Sequence, residues 1–159
     1  MSFRQGKAIV ATGAGACALV AVTAGCPHSA PAGAAPDNSI VPGQAVFART
    51  CAVCHQPTGS GVTGVFPPLA GSELVDGDVR RLMRIVLNGL QGPIRLKAGA
   101  FNNVMSPQGL SLSDAEIAAV LTFVRSSWGH HASAVTKDDV ARERMLGRTA
   151  PWTWSELGP

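Results

Sequence analysis

Two thiols and an imidazole stand together in Cys51-Ala52-Val53-Cys54-His55. Thiols at this spacing on a turn can each form a thioether to one vinyl group of a single haem, and the adjacent His then falls beneath the iron. Cys-x-x-Cys-His is the spacing of covalent haem attachment. Such a link stops cofactor loss in a compartment without a free pool, and it lets a small domain use the porphyrin as part of its core. A structural zinc would need two more ligands at zinc spacing. His130-His131 is remote and followed by no such pattern, and His28 lies in a proline-rich stretch.

An iron held by one His has a second axial position, and the candidates are few. Met83 falls on the apolar stripe of an expected helix, so core packing is its default. Met145 lies in a polar tail. Met105 lies on a loop before the last clear helix, where it can fold over the open face of the haem, and it is assigned as distal ligand. A Met/His pair raises the reduction potential relative to two nitrogens. It also fills the iron, which favours electron transfer over oxygen or peroxide chemistry. The competing expectation is a haem enzyme or gas sensor with an open or displaceable sixth position.

These groups need elements to position them. Pro42 and Gly43 open a short helix to about Thr50, with Val46 and Phe47 as apolar contacts. The loop after the motif carries Gly59, Gly61, Gly64 and Pro67-Pro68, anchored by Phe66 and Leu69. Asp76 or Asp78 can cap a helix from about Asp78 to Asn88, whose Val79, Leu82, Met83 and Val86 share a face. Gly89 is placed to end it as a left-handed cap. A second loop spans Leu90 to Leu112. Ser113-Asp114-Ala115-Glu116 is a capping box for a helix to about Ser127, striped by Ile117, Val120, Leu121 and Val124. His130 and His131 follow, where the helix dipole mildly favours a cation. Thr136 can cap another short helix ending near Gly147. Trp152 and Trp154 then either clasp the domain's own surface or dock a redox partner. No strand-like alternation of useful length occurs. The expected class is all-α, with several helices and glycine-rich loops around one covalent haem.

The N-terminal region has a different character. Arg4 and Lys7 precede an uncharged small-residue run, Ala8 to Ala24, that suits a secretory leader better than a membrane span. Val22-Thr23-Ala24-Gly25-Cys26 resembles a bacterial lipoprotein box, with Thr23 where Leu is usual. The alternatives are cleavage around Ala30 to Ala35 and a retained transmembrane anchor. Lipidation of Cys26 and attachment of Cys51 and Cys54 to haem would leave no free thiol outside the cytoplasm. The expected division is a leader at 1–25, a flexible tether at 26–39, a haem domain at 40–131 and an extension at 132–159, with the protein lipid-anchored at a periplasmic membrane surface. The formal charge of +3 falls, without residues 1–25, to 11 basic residues against 10 acidic ones. That gives no charge argument for nucleic acid, which needs a clustered basic surface.

Residues 40–130 resemble the class I cytochrome c family. The resemblance rests on Gly43-Gln44-Ala45-Val46-Phe47, the Cys51 to His55 motif, Pro67-Pro68-Leu69-Ala70-Gly71, Met105, and the last helix through Phe123 and Val124. It implies that the first and last helices cross at Gly43, Phe47 and Phe123. It also implies that a Pro carbonyl orients the proximal His55, which maps onto Pro68. Ser106-Pro107 follows Met105 where the family often has Pro directly. Phe66 to Ser72, Ile85 to Ile94 and Val135 to Asp138 further resemble cytochrome domains that act with periplasmic quinoprotein dehydrogenases and copper nitrite reductases. Redox partners of that kind are implied: a dehydrogenase, a nitrite reductase or a terminal oxidase. Arg80, Arg81, Arg84, Arg95 and Lys97 are candidates to guide docking or meet haem propionates, against an ordinary solvated face.

Overall fold

The structure, a computed structural model, describes residues 42–158. The expected leader, Cys26 and the tether lie outside the described residues. The chain enters through α1 (Gly43–Val46), a π-helical turn (Phe47–Cys51) and α2 (Ala52–His55), which follow one another without a break. The helix expected to stop at Thr50 therefore runs on to His55. It crosses α5 (Asp114–Arg125), and the crossing depends on Gly43. A Cβ there would lie 2.1 Å from the Ala119 carbonyl oxygen and 2.8 Å from Phe123 Cβ. Phe47, Phe123 and Trp128 fill the space beside the crossing, with ring centroids 5.5, 5.2 and 5.6 Å apart. Their tilted and edge-on contacts are the ones aromatic quadrupoles favour.

Three further helices, α3 (Glu73–Asp76), α4 (Val79–Asn88) and α6 (Lys137–Arg144), pack around this pair. Asp78 caps α4 by accepting the Arg80 amide at 2.9 Å. The Ser113/Glu116 capping box starts α5, and a second box, Thr136/Asp139, starts α6. Gly89 does have positive φ, +83°, but its ψ of 173° is extended, not left-handed helical. Val46, Leu82, Met83, Ile117, Val120, Leu121, Val124 and Val140 are buried together in the main core.

The stretch from Leu90 to Leu112 is not one irregular loop. Strand β1 (Leu90–Gln91) pairs in parallel with β4 (Trp152–Thr153). Strand β2 (Ile94–Leu96) pairs antiparallel with β3 (Gly99–Phe101), placing Ile94 opposite Phe101. Strands this short carry too few residues for a period-two pattern to register. A second apolar cluster forms around Ile85, Leu90, Ile94, Leu96 and Phe101. Trp152, together with Trp154 and Leu157 of α7 (Trp154–Leu157), packs against it. The tryptophans thus clasp the domain's own surface. The fold is mostly helical and all-α in class. Among the described residues, no helix is long and apolar enough to cross a membrane.

Candidate functional site

A cleft of about 310 Å³ is walled by side chains from α2, α4, α5 and the β2–β3 hairpin. Cys51, Cys54 and His55 line it, as does Met105. Leu82 and Val86 of α4, Val120, Leu121 and Val124 of α5, and Ile94, Leu96 and Phe101 of the hairpin make the rest of the wall largely apolar. Met83 is not among the lining residues and sits in the main core, 2% exposed. Met145 is exposed.

His55 Nδ1 lies 3.0 Å from the carbonyl oxygen of Pro67. A carbonyl only accepts, so Nδ1 carries the hydrogen and Nε2 keeps its lone pair for a metal. The orienting residue is therefore Pro67 and not Pro68. The difference lies in how the loop folds back. The Leu69 and Ala70 amides both donate to Gly59 O, at 2.7 and 3.0 Å, and Phe66 pairs with Val62. This turns the carbonyl before Pro68 toward the imidazole, while Pro68 lines the cleft. Burial lowers the His55 pKa below the usual imidazole value, against the opposing pull of the Pro67 bond. The ring is thus held neutral, as a metal ligand must be. Burial pushes the Cys51 thiol up to about 11, with Cys54 adding to the effect and Arg49 opposing it. This site penalises a thiolate and suits an uncharged thioether sulfur.

Several supporting residues escape a sequence reading. His130 is buried, with Nδ1 2.8 Å from Asp76 Oδ1 and Nε2 2.8 Å from Leu69 O. The ring thus pins the Pro67 to Leu69 loop to α3. Position just past a helix end was its only sequence signal, and that signal points to solvent. Arg125, also buried, donates to Val75 O at 2.6 Å and Ser133 O at 3.0 Å. Trp128 closes on Gly59, where a Cβ would meet the indole at 2.8 Å.

Met105 is held by its backbone. Its N–H donates to Leu90 O at 2.8 Å, and Leu90 N–H donates back at 3.1 Å. The Gln108 and Gly109 amides donate to Val86 and Leu87 carbonyls at 2.8 and 3.0 Å. Among the described residues, no cluster of three or more His, Cys, Asp or Glu gathers as a structural zinc would require. None of Arg80, Arg81, Arg84, Arg95 and Lys97 lines the cleft. Arg84 pairs with Glu143 at 2.8 Å, Arg81 lies 5.2 Å over Trp154, and the Lys97 amide donates to Glu73, lowering that carboxyl's pKa.

Two thiols, an oriented neutral imidazole and a thioether on one apolar cleft define a helical domain suited to a flat, covalently attached metalloporphyrin. The cytochrome c family model matches residues 40–128, more than half of the chain, and the chain belongs to that family. Its members bind covalent haem c, and Cys51 and Cys54 lie in the haem-binding region. The chain is 44% identical over 91 residues to cytochrome c-552 of Thermus thermophilus, covering 55% of this chain and 68% of that one. It is 36% identical over 114 residues to the cytochrome c subunit of alcohol dehydrogenase (quinone) from Gluconacetobacter polyoxogenes, covering 70% of this chain and 24% of that subunit. A gluconate 2-dehydrogenase cytochrome c subunit of Pantoea cypripedii is 37% identical over 106 residues, again with 24% of its length covered. Haem-based electron transfer is the activity this kinship supports.

Proposed function

We propose that this protein carries one haem c and passes single electrons between redox proteins outside the cytoplasm. Cys51 and Cys54 form the thioether links, His55 is the proximal ligand and Met105 the distal one. The observation that supports this most is the meeting, on one apolar cleft, of His55 with Nδ1 committed to Pro67 and Met105 with its backbone pinned to Leu90. When bound, the haem supplies a one-electron iron couple. The chain's own residues set its conditions. Pro67 fixes the tautomer and orientation of His55. The Met105 thioether closes the remaining axial position and raises the potential. The apolar wall keeps water away. Val53 and Val104 border the cleft and stay exposed, which leaves a contact face for a partner protein.

The dehydrogenase subunits among the relatives support a dehydrogenase as redox partner; a nitrite reductase and a terminal oxidase are the other candidate partners. A leader at 1–25, a lipid on Cys26 and a tether at 26–39 would hold the domain at the periplasmic face of a membrane. The mass of the mature N-terminus tests the lipid directly.

Carbon monoxide tests the ligation. The reduced protein should not bind it rapidly at neutral pH, whereas Met105→Ala should bind it stoichiometrically and have a lower potential. Rapid stoichiometric binding by the unmodified protein would sink the Met105 assignment and favour a haem enzyme or gas sensor.

A further inference from the structure

The C-terminal extension reaches the Met105 segment through β1. On one edge, Leu90 exchanges two hydrogen bonds with Met105, at 2.8 and 3.1 Å. On the other edge β4 runs parallel, Leu90 beside Trp152 and Gln91 beside Thr153, and Trp152 N–H donates to Gly89 O at 3.0 Å. The short β1 is thus the middle one of three paired segments. Two-residue strands are not stable on backbone pairing alone, so side chains must hold them. Trp152 does so: its indole N–H donates to Asn88 Oδ1 at 3.2 Å, and the Arg148 guanidinium lies 3.9 Å over its ring. Asn88 Nδ2 donates back to Arg148 O at 2.7 Å, and Arg148 bridges to Glu156 at 3.0 Å. Met105, Trp152, Trp154 and Leu157 all pack against the same apolar cluster.

A thioether is a weak iron ligand, and its hold depends on how constantly it is presented. Fixing its backbone to a clamped strand raises its effective concentration at the metal. We propose that Arg148 to Leu157 form a strap that positions Met105, with Trp152 clamping β1 so that outside ligands do not displace the thioether. Trp152 is then a positioning residue acting through β1. The proposal rests on Met105 being the distal ligand.

The test uses the full-length, haem-loaded ferric protein and imidazole as competing ligand. Trp152→Ala should raise imidazole affinity at least tenfold, equivalent to about 1.4 kcal/mol, and weaken the thioether-to-iron band. Trp152→Phe, which keeps a ring in the cluster, should recover most of the loss. Arg148→Met removes the nearer of the two cations over the ring, Arg84 remaining 5.5 Å from it, and leaves the core intact. It should raise affinity about threefold, and it serves if Trp152→Ala does not fold. Val140→Ala, a buried change in α6 that does not line the cleft, reports on stability alone and should leave affinity unchanged. Unmoved affinity in the Trp152 and Arg148 variants overturns the strap. An equal rise in Val140→Ala does so too, because global stability would then explain everything. If the unmodified ferric protein lacks the thioether-to-iron band, the ligation and the strap fall together. If the band is present and affinity does not move, only the strap falls.

Discussion

Replacing Gly43 by Ala probes the helix crossing that carries the attachment motif. The change adds one methyl group. Before relaxation its Cβ would sit 2.1 Å from Ala119 O, 2.7 Å from the Ala119 carbonyl carbon and 2.8 Å from Phe123 Cβ. Carbon atoms in contact prefer about 3.5–4.0 Å, so the helices must part by roughly 1 Å. The nearest obstacle is backbone, so no rotamer change relieves it. Overpacking of this kind costs about 1–3 kcal/mol. The opposing gain in helix propensity reaches ~1 kcal/mol in a helix interior and is smaller at Gly43, the first residue of α1. A net loss of about 2 kcal/mol is expected, roughly 30-fold in the unfolding equilibrium. Urea unfolding of the haem-loaded protein, followed by far-UV circular dichroism, measures it. Gln44→Ala, at the exposed neighbouring position, is the control. The midpoint should fall for Gly43→Ala at constant denaturant slope and barely move for Gln44→Ala. Equal midpoints would refute the reasoning, because the crossing would then have slack that these distances deny. Phe123→Ala should not rescue Gly43→Ala, since the closest atom belongs to Ala119.

Other outcomes follow from single side chains. Met83→Ala should lower stability by about 2–5 kcal/mol with carbon monoxide binding unchanged; loss of the thioether-to-iron band in that variant would move the ligand assignment to Met83. Ser113→Ala removes half of the α5 capping box and should cost ~1 kcal/mol, read from the same urea curves. His130→Leu loses two hydrogen bonds, one to Leu69 O of the proline loop and one to Asp76 of α3. Since Asp76 is half exposed and can rehydrate, the expected cost is about 2 kcal/mol, accompanied by a shifted potential; an unchanged potential would confine His130 to stability. The carboxyl pKa of Glu116 is lowered first by the Ser113 amide and then by its hydroxyl, and that of Glu73 first by the Lys97 amide. A depressed folded-state pKa adds stability that is present above the unfolded value and lost as pH falls through the folded one. The melting temperature should therefore drop below about pH 4.5, and Glu116→Gln should flatten that acid limb; an acid limb unchanged in Glu116→Gln would remove Glu116 from the account.

Length and locality decide how much of this was readable from the chain. The helices α4 and α5 have 10 and 12 residues, enough turns for an apolar stripe, and each has a side-chain cap. Cys51, Cys54 and His55 form a local pattern whose chemistry needs no fold to be recognised. The π-helical turn spans five residues, too few to reveal a period. Strands β1 and β4 are far apart in the chain and only two residues long, so neither announces itself. Pro67 and Pro68 are chemically alike to a reader of the chain. Only the folded loop separates them, by setting Pro67 O 3.0 Å from His55 Nδ1. His130 is the same kind of case: its burial comes from Asp76 and Leu69, both more than 50 positions away. What was missed is either too short to show a period or set by residues elsewhere in the chain.

The π-helical turn from Phe47 to Cys51 has a consequence for chain length. An α-helix advances about 100° per residue, and a π turn holds one residue more than an α turn. The extra residue is taken up inside the turn, so the motif keeps roughly the phase that an unbroken α-helix one residue shorter would give it relative to the face anchored on α5. Deleting one residue between Phe47 and Cys51 would leave the motif intact and the composition nearly unchanged. Such a chain closes the turn as ordinary α-helix, with the motif still facing the cleft and Gly43 still seated. Adding one more residue there, with no second turn to absorb it, would instead rotate the motif by about 100° away from the cleft. The spacing upstream of Cys51 thus acts as a phase setting, invisible to any search for the motif and registered only by the folded domain.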